Sequence, residues 1–213
     1  MIDDLNRVHN QYAINAVIDL APPVDDENAP ELAFGYMEDR TIPYREMVYV
    51  SASTKPPRIE ISFPNPGTPT RYTLVLLDPD GENLHTLDAS FAHWIVANLG
   101  PDDVPFGGSR YADVLSGLDE VLPYVAPSHT MGVRRLVFVL FAQAKLEQGL
   151  GHPPRTGFNL RAFAENNGLV AVRATHFLSI AEDQPITEEI QVAMQESWVS
   201  ANNEREASPG WWG

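Results

Sequence analysis

The hydrophobic and polar positions along the chain predict a protein built mainly from β-strands. Residues 58–63 alternate strictly between polar and apolar side chains, which is typical of a half-buried strand. The runs 72–77, 93–98 and 136–142 are almost continuously apolar, as expected for central strands that are covered on both faces. Shorter strand candidates lie at residues 31–36 and 48–51.

Three other segments have helical patterns. Apolar residues recur at near-helical spacing in residues 6–19. Residues 159–167 predict a helix that begins from an Asn159 N-cap. Residues 186–202 place acidic side chains in the first turn, which suits the helix dipole. Because proline makes up 18 of the 213 residues and the strands are short, the connections favour a β-sandwich or barrel. We therefore expect a mainly β fold, a β-sandwich with peripheral α-helices that include a C-terminal helix.

The length and the apolar runs bound the domain organisation. A chain of 213 residues favours one domain, here residues 1–213, with a core at about 10–180 and a C-terminal helix and tail at 185–213. No apolar run approaches the roughly 20 residues that cross a bilayer, so we expect no stable membrane insertion. The acidic start Met1-Ile2-Asp3-Asp4 is unlike a signal peptide, which favours a cytoplasmic protein, although a trimmed leader would allow a secretory origin.

Composition narrows the classes of partner. The formal net charge of −15 repels nucleic acids and anionic membrane surfaces, so we expect a small-molecule ligand and no nucleic acid. The absence of cysteine excludes disulfides, thiolate nucleophiles and cysteine-based metal sites. No metal-ligand spacing, phosphate loop or nucleophile elbow occurs, so we expect no metal and no cofactor. The sequence does not indicate an oligomeric state.

Ionisable side chains stand at one end of each of the three long apolar runs. Asp78 and Asp80 follow the first run, His93 opens the second, and Arg134 and Arg135 precede the third. A scaffold of neighbouring strands brings such ends together at one rim. The arginine pair supplies local positive charge in an acidic protein. We therefore expect an anion-binding pocket at this rim.

Each candidate also has a structural interpretation. Asp78-Pro79-Asp80-Gly81 is strong turn chemistry, and a histidine that opens a strand, such as His93, is commonly a hydrogen-bonded core residue. His129 is equally compatible with an exposed loop. His85 lies in the loop between the first two runs, and its role stays open.

Two long, ordered motifs in this region resemble the phosphatidylethanolamine-binding protein (PEBP) family. The first is Asp78-Pro79-Asp80, a loop, and His93-Trp94-Ile95-Val96-Ala97-Asn98-Leu99-Gly100. The second runs from Tyr124-Val125-Ala126-Pro127 through Gly132-Val133-Arg134-Arg135 to Gln143. A third match lies between Phe158-Asn159 and Phe177, and the resemblance spans roughly residues 10–177. It implies a β-sandwich in which the Asp-Pro-Asp segment and His93 line the ligand pocket.

Three departures from the family pattern change the expected pocket. Arg134 stands where the family has a histidine, and a guanidinium binds carboxylate bidentately but cannot shuttle a proton. Leu136 replaces an aromatic hydroxyl residue, and His129 replaces the second proline of Pro-x-Pro. The pocket is therefore expected to be rebuilt around a fixed cation.

The resemblance implies two classes of function. The first is an enzyme of the fungal PEBP-like branch, of the type implicated in coupling maleic-anhydride-bearing polyketide monomers into cyclic maleidrides. It would be a C–C bond-forming cyclase without a metal or redox cofactor. Arg134 would clamp a carboxylate or stabilise an oxyanion, His93 or Asp78 would remove a proton, and His129 would assist proton transfer or position the second monomer. The expected substrate contacts are Asp80, His85, Pro127, Arg134 and Arg135.

The second class is a non-catalytic binding or regulatory protein. PEBP relatives bind phospholipid headgroups or small anions, and the retained scaffold fits this role without chemistry. The replacement of the family histidine by Arg134, beside the retained Asp78 and His93, favours the enzyme.

Overall fold

The fold is seen in a computed structural model, which describes residues 31–36, 47–62, 71–79, 90–100, 119–129, 132–143 and 149–182. These segments contain eight β-strands, one α-helix and a short 3-10 helix at Val50–Ser53. The strands are β1 (Glu31–Gly35), β2 (Met47–Tyr49), β3 (Arg58–Ser62), β4 (Tyr72–Asp78), β5 (Phe91–Leu99), β6 (Asp119–Leu122), β7 (Val133–Gln143) and β8 (Leu169–Ile180), and the helix α1 is Leu160–Asn167.

Six of the strands form one sheet, in the order β2-β8-β7-β4-β5-β6. All neighbours in this sheet are antiparallel except β2 and β8, which run parallel. Strands β1 and β3 form a separate antiparallel pair. The three strands with long apolar runs are therefore neighbours at the centre of the large sheet.

The core lies on both faces of this central sheet. On β4, Leu74 and Leu76 pack in the same cluster as Phe34 of the two-stranded sheet, while Val75 and Leu77 pack in the cluster that contains Phe163 of α1. Every residue of β4 is buried. Successive side chains of a strand point to opposite faces, so a strand covered on both sides must be apolar at nearly every position. This confirms the prediction from the continuous runs.

Helix α1 begins and ends as the sequence predicts. The side-chain oxygen of Asn159 accepts a hydrogen bond of 2.9 Å from the backbone N–H of Ala162, which satisfies one donor of the first turn. Gly168 ends the helix at φ 60°, a left-handed conformation that glycine adopts without strain. The helix buries Leu160, Phe163 and Ala164 against the sheet.

The mainly β fold with a peripheral helix is confirmed, with differences in detail. The strand expected at 48–51 ends at Tyr49 and turns into the 3-10 helix. Strands β6 and β8 were not predicted. The expected helices at 6–19 and 186–202 lie outside the described residues, and the proposed domain limits stay a prediction. In the part of the chain that the structure describes, no helix is long and apolar enough to cross a membrane.

Candidate functional site

A cavity of about 210 Å³ opens at the rim where β4 ends and where β5 and β7 begin. Its fourth side is the connection 123–129, which follows β6. Among the described residues, four ionisable side chains line the cavity: Asp78, His93, His129 and Arg134. Three of these come from the ends of neighbouring central strands, as the positions of the charges along the sequence predicted.

Asp78 and Arg134 form an ion pair in the cavity wall. A guanidinium nitrogen of Arg134 (Nη1) lies 3.2 Å from the carboxylate oxygen Oδ2 of Asp78 and donates a hydrogen bond to it. The Asp78 side chain is only 6% exposed, whereas that of Arg134 is 23% exposed. The carboxylate is thus fixed at the buried end of its strand, and the longer arginine side chain reaches it from the more open side. This contact joins β4 to β7 across the pocket.

His93 is turned toward the cavity by a β-bulge. The register pairs Leu76 with Trp94 and Leu77 with Ala92, so β5 advances two residues where β4 advances one, and His93 is the extra residue. The consequence is visible in the core, where Ala92 and Trp94 pack in clusters on opposite faces of the sheet although they are two residues apart. A bulge re-aims the side chain it contains, which is how a core strand contributes a polar ring to the site.

The hydrogen bond of His93 defines its chemical state. Nδ1 lies 2.8 Å from the carbonyl oxygen of Val125, and a carbonyl only accepts, so Nδ1 carries the proton. Burial is the main cause that lowers the pKa of His93 to about 4. The hydrogen bond to Val125 opposes this shift, and the nearby charges of Arg155, Arg134 and His129 add to it. At neutral pH the ring is therefore uncharged. Nε2 then carries a lone pair, and it makes no hydrogen bond within the described part of the chain.

Arg155 connects two of the segments that carry the lining residues. Its guanidinium donates to the carbonyl oxygens of Ala92 at 3.0 Å and His93 at 3.1 Å, and to that of Pro123 at 2.5 Å. One side chain thus ties β5 to the start of the 123–129 connection. The sequence analysis missed this residue, because a cation that pairs with backbone carbonyls has no partner that a sequence pattern could reveal.

His129 is anchored next to Arg134 through a buried serine. Nε2 of His129 lies 3.0 Å from Oγ of Ser179, which is fully buried. Ser179 is the register partner of Arg134 on the neighbouring strand β8. The structure therefore places His129 at the pocket and gives it a defined contact, and its role in the site stays a prediction.

The other described residues that line the cavity are mainly apolar. They are Phe91, Val125, Ala126, Pro127 and Leu136, together with the polar Ser128. The rings of Phe91 and His93 meet edge to face, with centroids 4.9 Å apart. Val125 is 40% exposed, so part of this apolar surface reaches solvent. The pocket thus combines charged groups with an apolar side.

The structure brings together Asp78, His93, Pro127, His129 and Arg134 of the predicted site residues. Arg135 is not among the lining residues. It is 2% exposed, and as the strand neighbour of Arg134 it points to the other face of β7, so its expected substrate contact stays a prediction. Asp80 and His85 lie outside the described residues. Among the residues that are described, no group of three or more histidine and carboxylate side chains is arranged to hold a metal ion.

The fold and the cavity define a class, a mainly β protein with a small, partly charged ligand pocket at one rim of its central sheet. The profile of the family "Phosphatidylethanolamine-binding protein" matches residues 35–181. The chain is 35% identical over 176 residues to "Protein MOTHER of FT and TFL1 homolog 2" of Oryza sativa subsp. japonica, which covers 79% of this chain and 89% of that protein. The chain belongs to the phosphatidylethanolamine-binding protein family.

Solved structures agree on the fold. The phosphatidylethanolamine-binding protein from Plasmodium vivax aligns with a TM-score of 0.58 at 17% identity, covering 84% of this chain and 97% of that one. The carboxypeptidase Y inhibitor, solved in complex with the cognate proteinase, aligns with a TM-score of 0.59 at 16% identity, covering 84% of this chain and 96% of that one. At these identities the likeness concerns the fold.

Proposed function

We propose that this protein binds a small organic anion in the rim pocket, with Arg134 as the group that holds the anionic oxygens. The observation that carries the proposal is the position of Arg134. Its guanidinium lines the cavity, is partly open to solvent, and already holds a carboxylate oxygen, that of Asp78, at 3.2 Å. A phosphate or carboxylate ligand presents the same kind of oxygen, and the planar guanidinium matches either group.

The charges around His93 support an anionic ligand. Burial is the largest cause of the lowered pKa of His93, and Arg155, Arg134 and His129 each add to it, so cationic groups face this ring although the whole chain carries a formal charge of −15. Local groups decide the sign of the potential inside a partly buried cavity, because buried charges are screened less than exposed ones. An anion entering from solvent is therefore attracted at the pocket itself.

The size of the cavity limits what it encloses. Its volume of about 210 Å³ is smaller than the roughly 300–1,000 Å³ of typical small-molecule pockets. A headgroup or a small acid fills such a space, and the rest of a larger ligand would extend over the exposed Val125 and the ring of Phe91. The ligand class that fits is an amphipathic anion, a phosphate monoester or carboxylate attached to an apolar part.

Calorimetric titration with phenyl phosphate tests this proposal. We expect saturable binding to the wild type at low ionic strength and a loss of at least about tenfold in affinity for Arg134→Gln, equal to about 1.4 kcal/mol. Arg161→Gln is the matched control, because Arg161 is exposed on α1 and its loss changes the net charge equally. Equal affinities in the two variants would show that Arg134 does not hold the anion.

A second candidate is the enzyme of the fungal maleidride type. The observation in its favour is that neutral His93, with Nε2 available as a proton acceptor, lines the same cavity as Arg134. His93 would remove a proton from the carbon beside the anhydride, and Arg134 would stabilise the oxyanion that develops. A bound anion near His93 would raise the pKa of the ring and strengthen it as a base.

Incubation with a maleic-anhydride-bearing monomer separates the two candidates. The enzyme forms a coupled product, and His93→Ala and Arg134→Ala each abolish it. A binding protein shows saturable binding of the hydrolysed dicarboxylate with no product. Turnover at the wild-type rate in both variants would show that neither residue takes part in the reaction.

A further inference from the structure

The ion pair between Asp78 and Arg134 has the chemistry of an occupied anion site. Oδ2 of Asp78 lies 3.2 Å from Nη1 of Arg134, and both residues line the cavity that we propose for the ligand. A carboxylate ligand would make the same contact. The protein therefore supplies from its own chain the kind of group that the pocket is proposed to bind.

The position of Asp78 makes it a strong competitor. It is the last residue of β4, which is paired on both sides, with β5 and with β7. A carboxylate tethered in this way competes for Arg134 as an intramolecular ligand. Because it can move only a short distance, its effective concentration at Arg134 is high. With its side chain only 6% exposed, the carboxylate is held out of water beside Arg134.

Arg134 is the partner that can respond. Its side chain is long, and at 23% exposure it has more contact with solvent than that of Asp78, so it is the member of the pair that an entering anion meets first. If an anion takes over this contact, the pairing of a buried carboxylate is weakened, which is unfavourable.

We propose that Asp78 is an internal competitor for Arg134, so that anion binding is an exchange reaction and the pocket excludes weak ligands. This inference rests on the proposed anion-binding function and names the residue that sets its affinity. The exchange explains why a permanent cation in the pocket would not hold whichever small anion is abundant in its surroundings. An amphipathic anion overcomes the competition by adding contacts to the apolar wall.

The opposite role for Asp78 makes a different prediction. If the carboxylate served to orient the guanidinium for the ligand, removing its charge would weaken anion binding. If it competes, removing its charge strengthens binding, since the entering anion no longer displaces a charged partner. The sign of the change in affinity thus decides between positioning and competition.

The experiment is calorimetric titration of inorganic phosphate and of phenyl phosphate into wild type, Asp78→Asn, Arg134→Gln and the double variant. Asp78→Ser is a second test in case the asparagine variant does not fold, and thermal melting establishes that each variant is folded. Glu165→Gln, at an exposed position on α1, removes one negative charge away from the pocket and serves as the charge-matched control.

We expect Asp78→Asn to bind inorganic phosphate about tenfold more tightly than wild type, with a smaller gain for phenyl phosphate, and Glu165→Gln to match wild type. The gain disappears in the double variant. Unchanged or weaker binding by Asp78→Asn, while wild type binds, would overturn the competition and leave the proposed function standing. Absence of binding in wild type, Asp78→Asn and Asp78→Ser would overturn both.

Discussion

His93 and Val125 hold each other by two hydrogen bonds that run in opposite directions. Nδ1 of the His93 ring donates to the carbonyl oxygen of Val125 at 2.8 Å, and the backbone N–H of Val125 donates to the carbonyl oxygen of His93 at 2.9 Å. The bulged residue of β5 and the wall of the pocket are thus fixed as one unit. Because the ring is buried in its neutral form, this unit is expected to respond to pH.

The first prediction concerns stability between pH 6.5 and pH 4. The pKa of His93 is about 4 in the folded protein and near 6.5 when exposed, so below pH 6.5 the unfolded chain binds the proton more readily. Unfolding free energy should therefore fall as the pH falls through this window, by up to about 3 kcal/mol from this residue, and level off below pH 4.

Urea denaturation of wild type and His93→Asn at several pH values measures this effect. Subtracting the two curves removes the contributions of all other titrating groups. The difference should vary across the window and be flat below it. A difference that does not change with pH would mean that His93 titrates normally and that its ring is not held in the neutral form.

The second prediction concerns Arg155. Arg155→Ala removes donors to the carbonyl oxygens of Ala92, His93 and Pro123, and hydrogen bonds from a charged donor contribute about 1.5–3 kcal/mol each. Allowing for solvent access, we expect a loss of about 2–4 kcal/mol in unfolding free energy. The pKa of His93 should also rise, because one of the cations that lower it is removed.

Chemical denaturation and an NMR titration of the His93 ring follow both effects in one protein. Arg161→Ala is the matched control, because it removes an exposed arginine from α1 and should leave both quantities close to wild type. A stable Arg155→Ala variant with an unshifted His93 would show that Arg155 is an ordinary surface cation.

The third prediction tests the start of α1. Asn159→Ala removes the side-chain oxygen that accepts from Ala162, which should cost about 1 kcal/mol of unfolding free energy. Asn159→Asp retains the acceptor and should restore most of the loss. Identical stability of the alanine and aspartate variants in urea would mean that the cap contributes nothing.

How far the fold follows from the sequence depends on the strand. β4 was predicted because burial on both faces makes it continuously apolar. α1 was predicted because a single side chain, that of Asn159, marks the start of the helix. β8 was missed because polar residues such as Arg173 and His176 interrupt its apolar pattern. A register shift opposite Leu140 and Phe141 also breaks its alternation. Its place in the sheet comes from the long ladder with β7, which no local pattern contains.

The site, too, was predicted in part. The charges at the ends of the three apolar runs predicted where Asp78, His93 and Arg134 would meet. The sequence could not predict the bulge at His93, since it depends on the register between two strands, nor the carbonyl partners of Arg155. Arg135 was assigned to the pocket with its neighbour, although adjacent strand residues face opposite sides of the sheet, and strand parity alone separates the two.

The central claim is that a small anion binds at this rim against Arg134. The most direct measurement is the NMR chemical-shift change of the backbone amides and histidine rings on titration with phenyl phosphate. We predict saturable changes in His93, Arg134 and residues 125–129, with residues of α1 and β6 unmoved, and loss of these changes in Arg134→Gln. No change at the rim, or the same changes in Arg134→Gln, would contradict the claim.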